Sequence, residues 1–157
     1  MFVRPLDKID RKILRVLQRD GRISNVRLAR EVGLSPTPCL ERVRRLEREG
    51  YILGYRAVLD PAKLEASLLV YAEIRLAHTS PDVFQEFKRA VSALPHILEC
   101  HLVSGDFDYL IKARVKDMAA YRRLLGESLL LLPGVSASRS YIVMEEVKET
   151  AELPIRD

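Results

Sequence analysis

Gly33-Leu34-Ser35-Pro36-Thr37-Pro38-Cys39-Leu40-Glu41-Arg42-Val43-Arg44-Arg45-Leu46-Glu47-Arg48-Glu49-Gly50 is the stretch on which the reading of the first third of the chain turns. Gly33 supplies left-handed backbone at a helix end. Ser35 followed by Pro36 is an N-cap residue with a proline at the first helical position, and Gly50 stops the helix they open. At about 100° per residue from Leu40, Val43, Leu46 and Cys39 fall in an arc of about 240–360°, whereas Thr37, Pro38, Glu41, Arg44, Arg45 and Arg48 fall between about 40° and 160°. One helix therefore carries an apolar stripe for its own bundle and a basic stripe that faces out.

Upstream, Asp7 to Arg19 has Ile9, Ile13, Val16 and Leu17 at helical spacing, and Asp20-Gly21 ends it. Ser24 caps a second short helix, Asn25 to Val32, in which Ala29 lets a neighbouring helix approach four residues before the Gly33 turn. Three short helices joined by tight turns, the last one arginine-rich, describe a helix-turn-helix. Its third helix is expected to lie in a DNA major groove. The candidate contact residues are Asn25, Ser35, Pro36, Thr37, Pro38, Glu41, Arg42, Arg44, Arg45 and Arg48. The competing reading is a solvated face on which Glu41, Glu47 and Glu49 pair with nearby arginines.

Charge supports the first reading. The 157-residue chain has a net charge of +4. Residues 1–60 hold 14 Lys/Arg against 8 Asp/Glu, and residues 61–157 hold 12 against 14, so the positive charge belongs to the first third. Twelve of those 14 cations are arginine, the side chain that forks onto phosphate and guanine edges. With 48% hydrophobic and 31% charged residues, disordered and collagen-like classes are excluded. No apolar run reaches the ~18 residues of a membrane span, and Met1 to Asp7 carries no signal-peptide pattern, so a cytoplasmic location is expected, nucleoid-associated through the expected DNA binding.

After Gly50 the period changes. Tyr51 to Leu59 reads as an extended wing strand leading to a hinge at Asp60-Pro61. In Ser67 to Leu76 the even positions Leu68, Val70, Ala72, Ile74 and Leu76 are apolar, and the odd ones include Glu73 and Arg75. A helix opens at Ser80-Pro81-Asp82, strands follow at Ile97–Val103 and Tyr109–Val115, Asp117 caps a helix to Leu131, and Val135–Val147 is a last strand. The fold class is α+β: a winged helix-turn-helix over residues 1–60, then a ferredoxin-like β-α-β-β-α-β domain over 61–157. Its uncovered sheet face and edges are expected to pair in a homodimer.

Other chemistry is poorly supported. Cys39 belongs to the apolar stripe. Glu99-Cys100-His101 alternates across a strand and does not converge on one metal. Asp106 and Asp108 have no histidine, lysine or metal partner, so no enzyme is expected. Gly105, Asp106 and Asp108 at a hairpin tip suit a zwitterion instead: carboxylates for an ammonium, turn amides for a carboxylate. Turn residues that satisfy only their own backbone are the alternative.

Residues Gly21 to Val26 and Val32 to Arg48, with Glu99 to Tyr109, Leu131 to Val135 and Tyr141 to Lys148, closely resemble the Lrp/AsnC family of regulators over nearly the whole chain. The resemblance implies a winged helix-turn-helix followed by the domain called RAM, dimers formed through RAM, octamers of four dimers, and an amino-acid effector, leucine or another, between RAM domains. Carried over, the effector site comprises Leu102, Ser104, Gly105, Asp106, Asp108 and Met118, with Gly134, Val135 and Ser136 approaching from a neighbouring subunit. The implied function is an amino-acid-responsive activator or repressor that binds specific double-stranded DNA, without a metal or other cofactor. A short N-terminus implies little basic arm before the first helix. An amino-acid sensor without DNA binding is the runner-up, but it has no use for a basic recognition helix. RNA binding through the sheet is disfavoured by the missing aromatic motif.

Overall fold

The structure, a computed structural model, describes residues 5–156. The chain forms two compact units: one comprises the chain up to Val58 together with the segment from Lys148 on, the other Leu59–Val147. The division lies close to the expected 60/61 boundary, but the C-terminal segment departs from the expectation that the second domain runs to the end. It returns to the first unit, where Arg15 donates from Nε and Nη2 to the Ile155 carbonyl (3.1 and 3.0 Å). Gln18 exchanges two hydrogen bonds with the Leu153 backbone (3.1 and 2.6 Å). Contacts across some 140 positions of sequence have no local pattern from which to be read. The expected short basic arm falls on residues 1–4, outside the described residues.

In the first unit, α1 (Lys8–Arg19), α2 (Asn25–Val32) and α3 (Pro36–Arg48) form a bundle. Asp7 and Asp10 make a capping box at the start of α1. Ser24 Oγ accepts the Arg27 N–H, and Gly33 closes α2 at φ 77°. Ile13, Leu28, Ala29, Val32, Cys39 and Leu46 are buried together, so the apolar stripe of α3 is the bundle core. The expected wing strand at 51–59 forms no ladder among the described residues. Leu53 and Val58 are 95% and 98% exposed there. β-propensity alone does not make a strand; a neighbouring chain must receive its hydrogen bonds.

The second unit contains β1 (Leu68–Leu76), α4 (Pro81–Ser92), β2 (Ile97–Leu102), β3 (Tyr109–Val115), α5 (Met118–Glu127) and β4 (Val135–Ile142). The strands run β2-β3-β1-β4, every pair antiparallel. This is the ferredoxin-like order. The even face of β1 packs with Tyr109, Ile111, Ala113 and Val115 of β3 against Phe87, Val91, Tyr121 and Leu124 of the helices. Phe87 stacks on Tyr109 with centroids 4.2 Å apart. Full burial of such a side chain contributes about 1.5–3 kcal/mol.

Two elements stop well short of the sequence expectation. α5 stops at Glu127, and Leu129–Leu131 is a 3₁₀ turn that sends Leu129 into the core. β4 ends at Ile142 rather than Val147, because its partner β1 runs out: Val143 donates to the Leu69 carbonyl, and no residue precedes Leu68 in that strand.

Candidate DNA interface and effector site

The outward face of α3 is narrower than its helical wheel. Ser35, Pro36, Thr37, Glu41, Arg44 and Arg48 are exposed, and Pro38 is half-buried. Ser35 has N-cap backbone angles but its hydroxyl makes no cap hydrogen bond. Arg42 and Arg45 turn inward instead. Arg42 Nη1 lies 2.6 Å from Asp7 Oδ2 and 2.8 Å from Asp10 Oδ1, and Arg45 Nη2 lies 2.5 Å from Asp10 Oδ2. Their side chains are only 27% and 14% exposed. At the border between the two stripes, a long side chain turns toward whichever charge is nearest, and a buried carboxylate outcompetes water.

Asn25 is likewise turned inward. Its Nδ2 donates to the Pro36 carbonyl at 2.8 Å, bracing the start of α2 against the start of α3. In exchange the structure exposes cations that reading helix by helix does not single out: Arg22 in the turn before α2 and Arg27 in its first turn. They belong to the +6 excess of the first 60 residues, but only their placement beside the α2 N-terminus, where partial positive charge gathers, separates them from the other arginines.

In the second unit, Gly105 sits at φ 151° in the β2–β3 connection, a conformation that favours glycine. Asp108 is half-buried, and its Oδ2 accepts the Leu76 N–H at 2.7 Å. The carboxylate singled out for an ammonium thus already serves the fold with one oxygen. Asp106 is exposed, and its carbonyl accepts Arg75 Nη2 at 2.5 Å. Ser136 Oγ donates to the Arg75 carbonyl at 3.1 Å, so Arg75 links the hairpin to the start of β4. Leu102, Ser104 and Met118 are exposed. Gly134 is at φ 78°, and a Cβ there would stand 2.6 Å from Val83 Cγ1. Val135 packs on the core rather than outward.

A cleft of about 400 Å³ opens beside the hairpin, lined by Glu73, Arg75, Asp106, Phe107, Ala137, Ser138 and Arg139. Of the sequence candidates only Asp106 lines it. Glu73 and Arg75 stand out in sequence as polar positions of β1, but only the β1–β4 register, Glu73 opposite Arg139 and Arg75 opposite Ala137, brings them together. Tyr141 donates to Glu73 Oε1 at 2.7 Å and steadies that wall. Both signs of charge stand around one opening, the arrangement a zwitterion requires.

Glu99 and His101, two apart on β2, share a face and meet at 3.1 Å. Cys100 points to the core, where burial pushes its thiol up to about 11. No helix among the described residues is long and apolar enough to cross a membrane.

Comparison with known proteins agrees with this geometry. Residues 69–153 match the Lrp/AsnC ligand binding domain, and residues 6–52 match a winged helix-turn-helix DNA-binding domain. The leucine-responsive regulatory proteins of Escherichia coli K12 and Salmonella typhimurium are each 66% identical over 151 residues, covering 96% of this chain and 92% of theirs. A Neisseria meningitidis transcriptional regulator solved in complex with L-methionine superposes with a TM-score of 0.92 at 37% identity, covering 96% of this chain and 97% of that one. An AsnC family transcriptional regulator from Agrobacterium tumefaciens gives 0.91 at 38%, covering 95% and 97%.

Proposed function

The chain belongs to the Lrp/AsnC family of amino-acid-responsive, DNA-binding transcription regulators, and from that premise we propose how its own residues divide the work. Ser35, Thr37 and Glu41 meet base edges near the start of α3, and Arg44 and Arg48 continue onto phosphates, with Arg22 and Arg27 on the flanking backbone. Asn25, Arg42 and Arg45 act one step back, holding the helices that carry those contacts. The observation that carries this reading is the split of α3 into a face docked in the bundle core and a face of exposed arginines.

The effector is an amino acid, leucine or a relative, at the β2–β3 hairpin. Its ammonium meets Asp106 and the remaining oxygen of Asp108, and its carboxylate meets the turn amides around Gly105. Leu102 and Met118 offer apolar surface to the side chain, and Gly134 and Ser136 of a neighbouring subunit complete the site. The protein acts as a homodimer that assembles further, to an octamer, in the cytoplasm and on the nucleoid, without metal, cofactor or catalytic activity. Such a ligand acts by binding one assembly more tightly than another, and its effect equals that difference in affinity.

Anisotropy titration of a labelled duplex, enriched by the protein from a random pool, with each of the twenty amino acids at millimolar concentration tests the reading. Sedimentation velocity follows the assembly. Sequence-selective binding that one amino acid shifts together with assembly size is the expected result; selective binding indifferent to all twenty removes the effector half.

A further inference from the structure

Asp10 is fully buried, yet it lies in the first turn of α1, on a helix whose other charged residues face out or reach the surface. A carboxylate taken from water without partners is costly, and ordinarily gives way to an apolar residue. This one is held by two hydrogen-bond donors and one close ion pair. Its Oδ1 receives Arg42 Nη1 at 2.8 Å, and its Oδ2 pairs with Arg45 Nη2 at 2.5 Å and accepts the Asp7 N–H at 3.1 Å. Asp7 Oδ2 takes Arg42 Nη1 a second time at 2.6 Å. Two carboxylates of the α1 N-terminus therefore clamp two guanidinia of α3.

The position of the clamp around α3 gives it a consequence. At about 100° per residue from Leu40, Arg45 and Arg42 stand at about 140° and 200°, between the outward residues at about 40–100° and the core stripe at about 240–360°. Apolar burial is non-directional and by itself specifies the rotation of a short helix less sharply than polar contacts do. Charge-assisted hydrogen bonds are directional and do not. The core holds α3 on one side and the clamp holds it on the other.

We propose that Asp10 is a positioning residue of the DNA interface: it sets the rotation of α3 about its own axis and withholds Arg42 and Arg45 from the nucleic acid, so that base-reading residues meet one register. The proposal rests on α3 being the DNA face. It explains why charged side chains stand at positions that turn away from solvent: Arg42 Nη1 bridges Asp7 and Asp10, and Arg45 pairs with Asp10.

The test uses the full chain, its selected duplex and a scrambled duplex, titrated at several salt concentrations well below the melting midpoint. For Asp10→Asn the specific-to-scrambled affinity ratio is expected to fall tenfold or more, and the slope of log K against log salt to steepen by about 0.9 for each guanidinium released to a phosphate. A variant that melts lower but keeps both ratio and slope would overturn the proposal, since a merely stabilising residue moves only the melting point. Should Asp10→Asn fail to fold, Arg45→Gln, which leaves Asp10 its Arg42 partner, decides the matter. A lower ratio at unchanged slope supports the clamp. An unchanged ratio overturns it, as does a slope shallower by about 0.9, which would place Arg45 itself on a phosphate. Arg44→Ala and Arg48→Ala run alongside: if neither changes the slope, the DNA-face reading fails, an outcome separate from failure of the clamp.

Discussion

Asp108 accepts the backbone N–H of Leu76 at 2.7 Å, tying the start of β3 to the end of β1. The Asp108 N–H donates to the Ile74 carbonyl and its own carbonyl accepts the Val103 N–H, each at 2.9 Å, so this residue is a knot of three strands as well as a candidate ligand contact. The two roles separate by substitution. Asp108→Ala leaves the Leu76 N–H without its acceptor and is expected to cost about 1–3 kcal/mol in a urea titration. Asp108→Asn keeps an oxygen for Leu76 and removes only the charge. Near-native stability with a lost amino-acid response is the expected result, and a retained response would assign the ammonium to Asp106 alone.

Arg44 and Arg48 are the exposed arginines of α3. Alanine at either position is expected to leave the far-UV spectrum unchanged and to reduce the salt slope of DNA binding by about 0.9 for each phosphate that is no longer neutralised. Anisotropy titrations between about 50 and ~200 mM salt read it directly.

Gly134 tolerates no side chain for two independent reasons. Its φ of 78° disfavours L-residues, and a Cβ would meet Val83 Cγ1 at 2.6 Å. The left-handed backbone costs about 1–2 kcal/mol, and overpacking about 1–3 more. Gly134→Ala is therefore expected to lower the urea midpoint of the second unit markedly, and adding Val83→Ala to recover the steric part while leaving the conformational part. Full additivity of the two substitutions would contradict the close approach.

The clamp on α3 has a pH signature. Asp7 is lowered from its ordinary 3.8 to about 2, first by the Asp10 N–H and then by Arg42. For Asp10, burial pushes upward, but Arg45, the Asp7 N–H and Arg42 outweigh it and leave the carboxyl below its usual range. A folded value below the unfolded one contributes stability that is fully present above the unfolded pKa and lost as pH falls through the folded one. The melting temperature of the first unit should therefore fall as pH drops from about 4 to about 2. Asp7→Asn should flatten that part of the profile; an unchanged profile would mean that Asp7 titrates alike folded and unfolded.

Removal of residues 149–157 takes the Leu153 and Ile155 backbone from Gln18 and Arg15. These bonds are exposed or half-buried, so the expected loss is about 1–2 kcal/mol. Thermal melts of the truncated chain, with its DNA affinity measured below the transition, check it.

Local chemistry made much of this molecule legible in sequence. Ser24, Ser80 and Asp117 cap the helices they precede, and Gly33 ends α2. The alternation in β1 named its buried face, because a strand repeats every two residues whatever lies beside it. The order of elements then left few topologies, and residues Gly21 to Arg48 carried enough of their family's pattern to imply the DNA-binding half. Those signals arise from forces acting over a few residues.

The tertiary structure decided what depends on partners distant in the chain. A helical wheel locates Cα directions, but Arg45 is long enough to choose between solvent and Asp10, 35 positions away. The same holds for Asn25 on Pro36, for Asp108 on Leu76, and for the Glu73–Arg139 pairing that shapes the cleft. The extended segment 51–59 found no ladder among the described residues, and the C-terminal segment found one unit rather than the other. Propensity and periodicity prescribe what a residue prefers beside its neighbours in sequence; which charge or carbonyl arrives opposite it is settled only when the helices and strands pack.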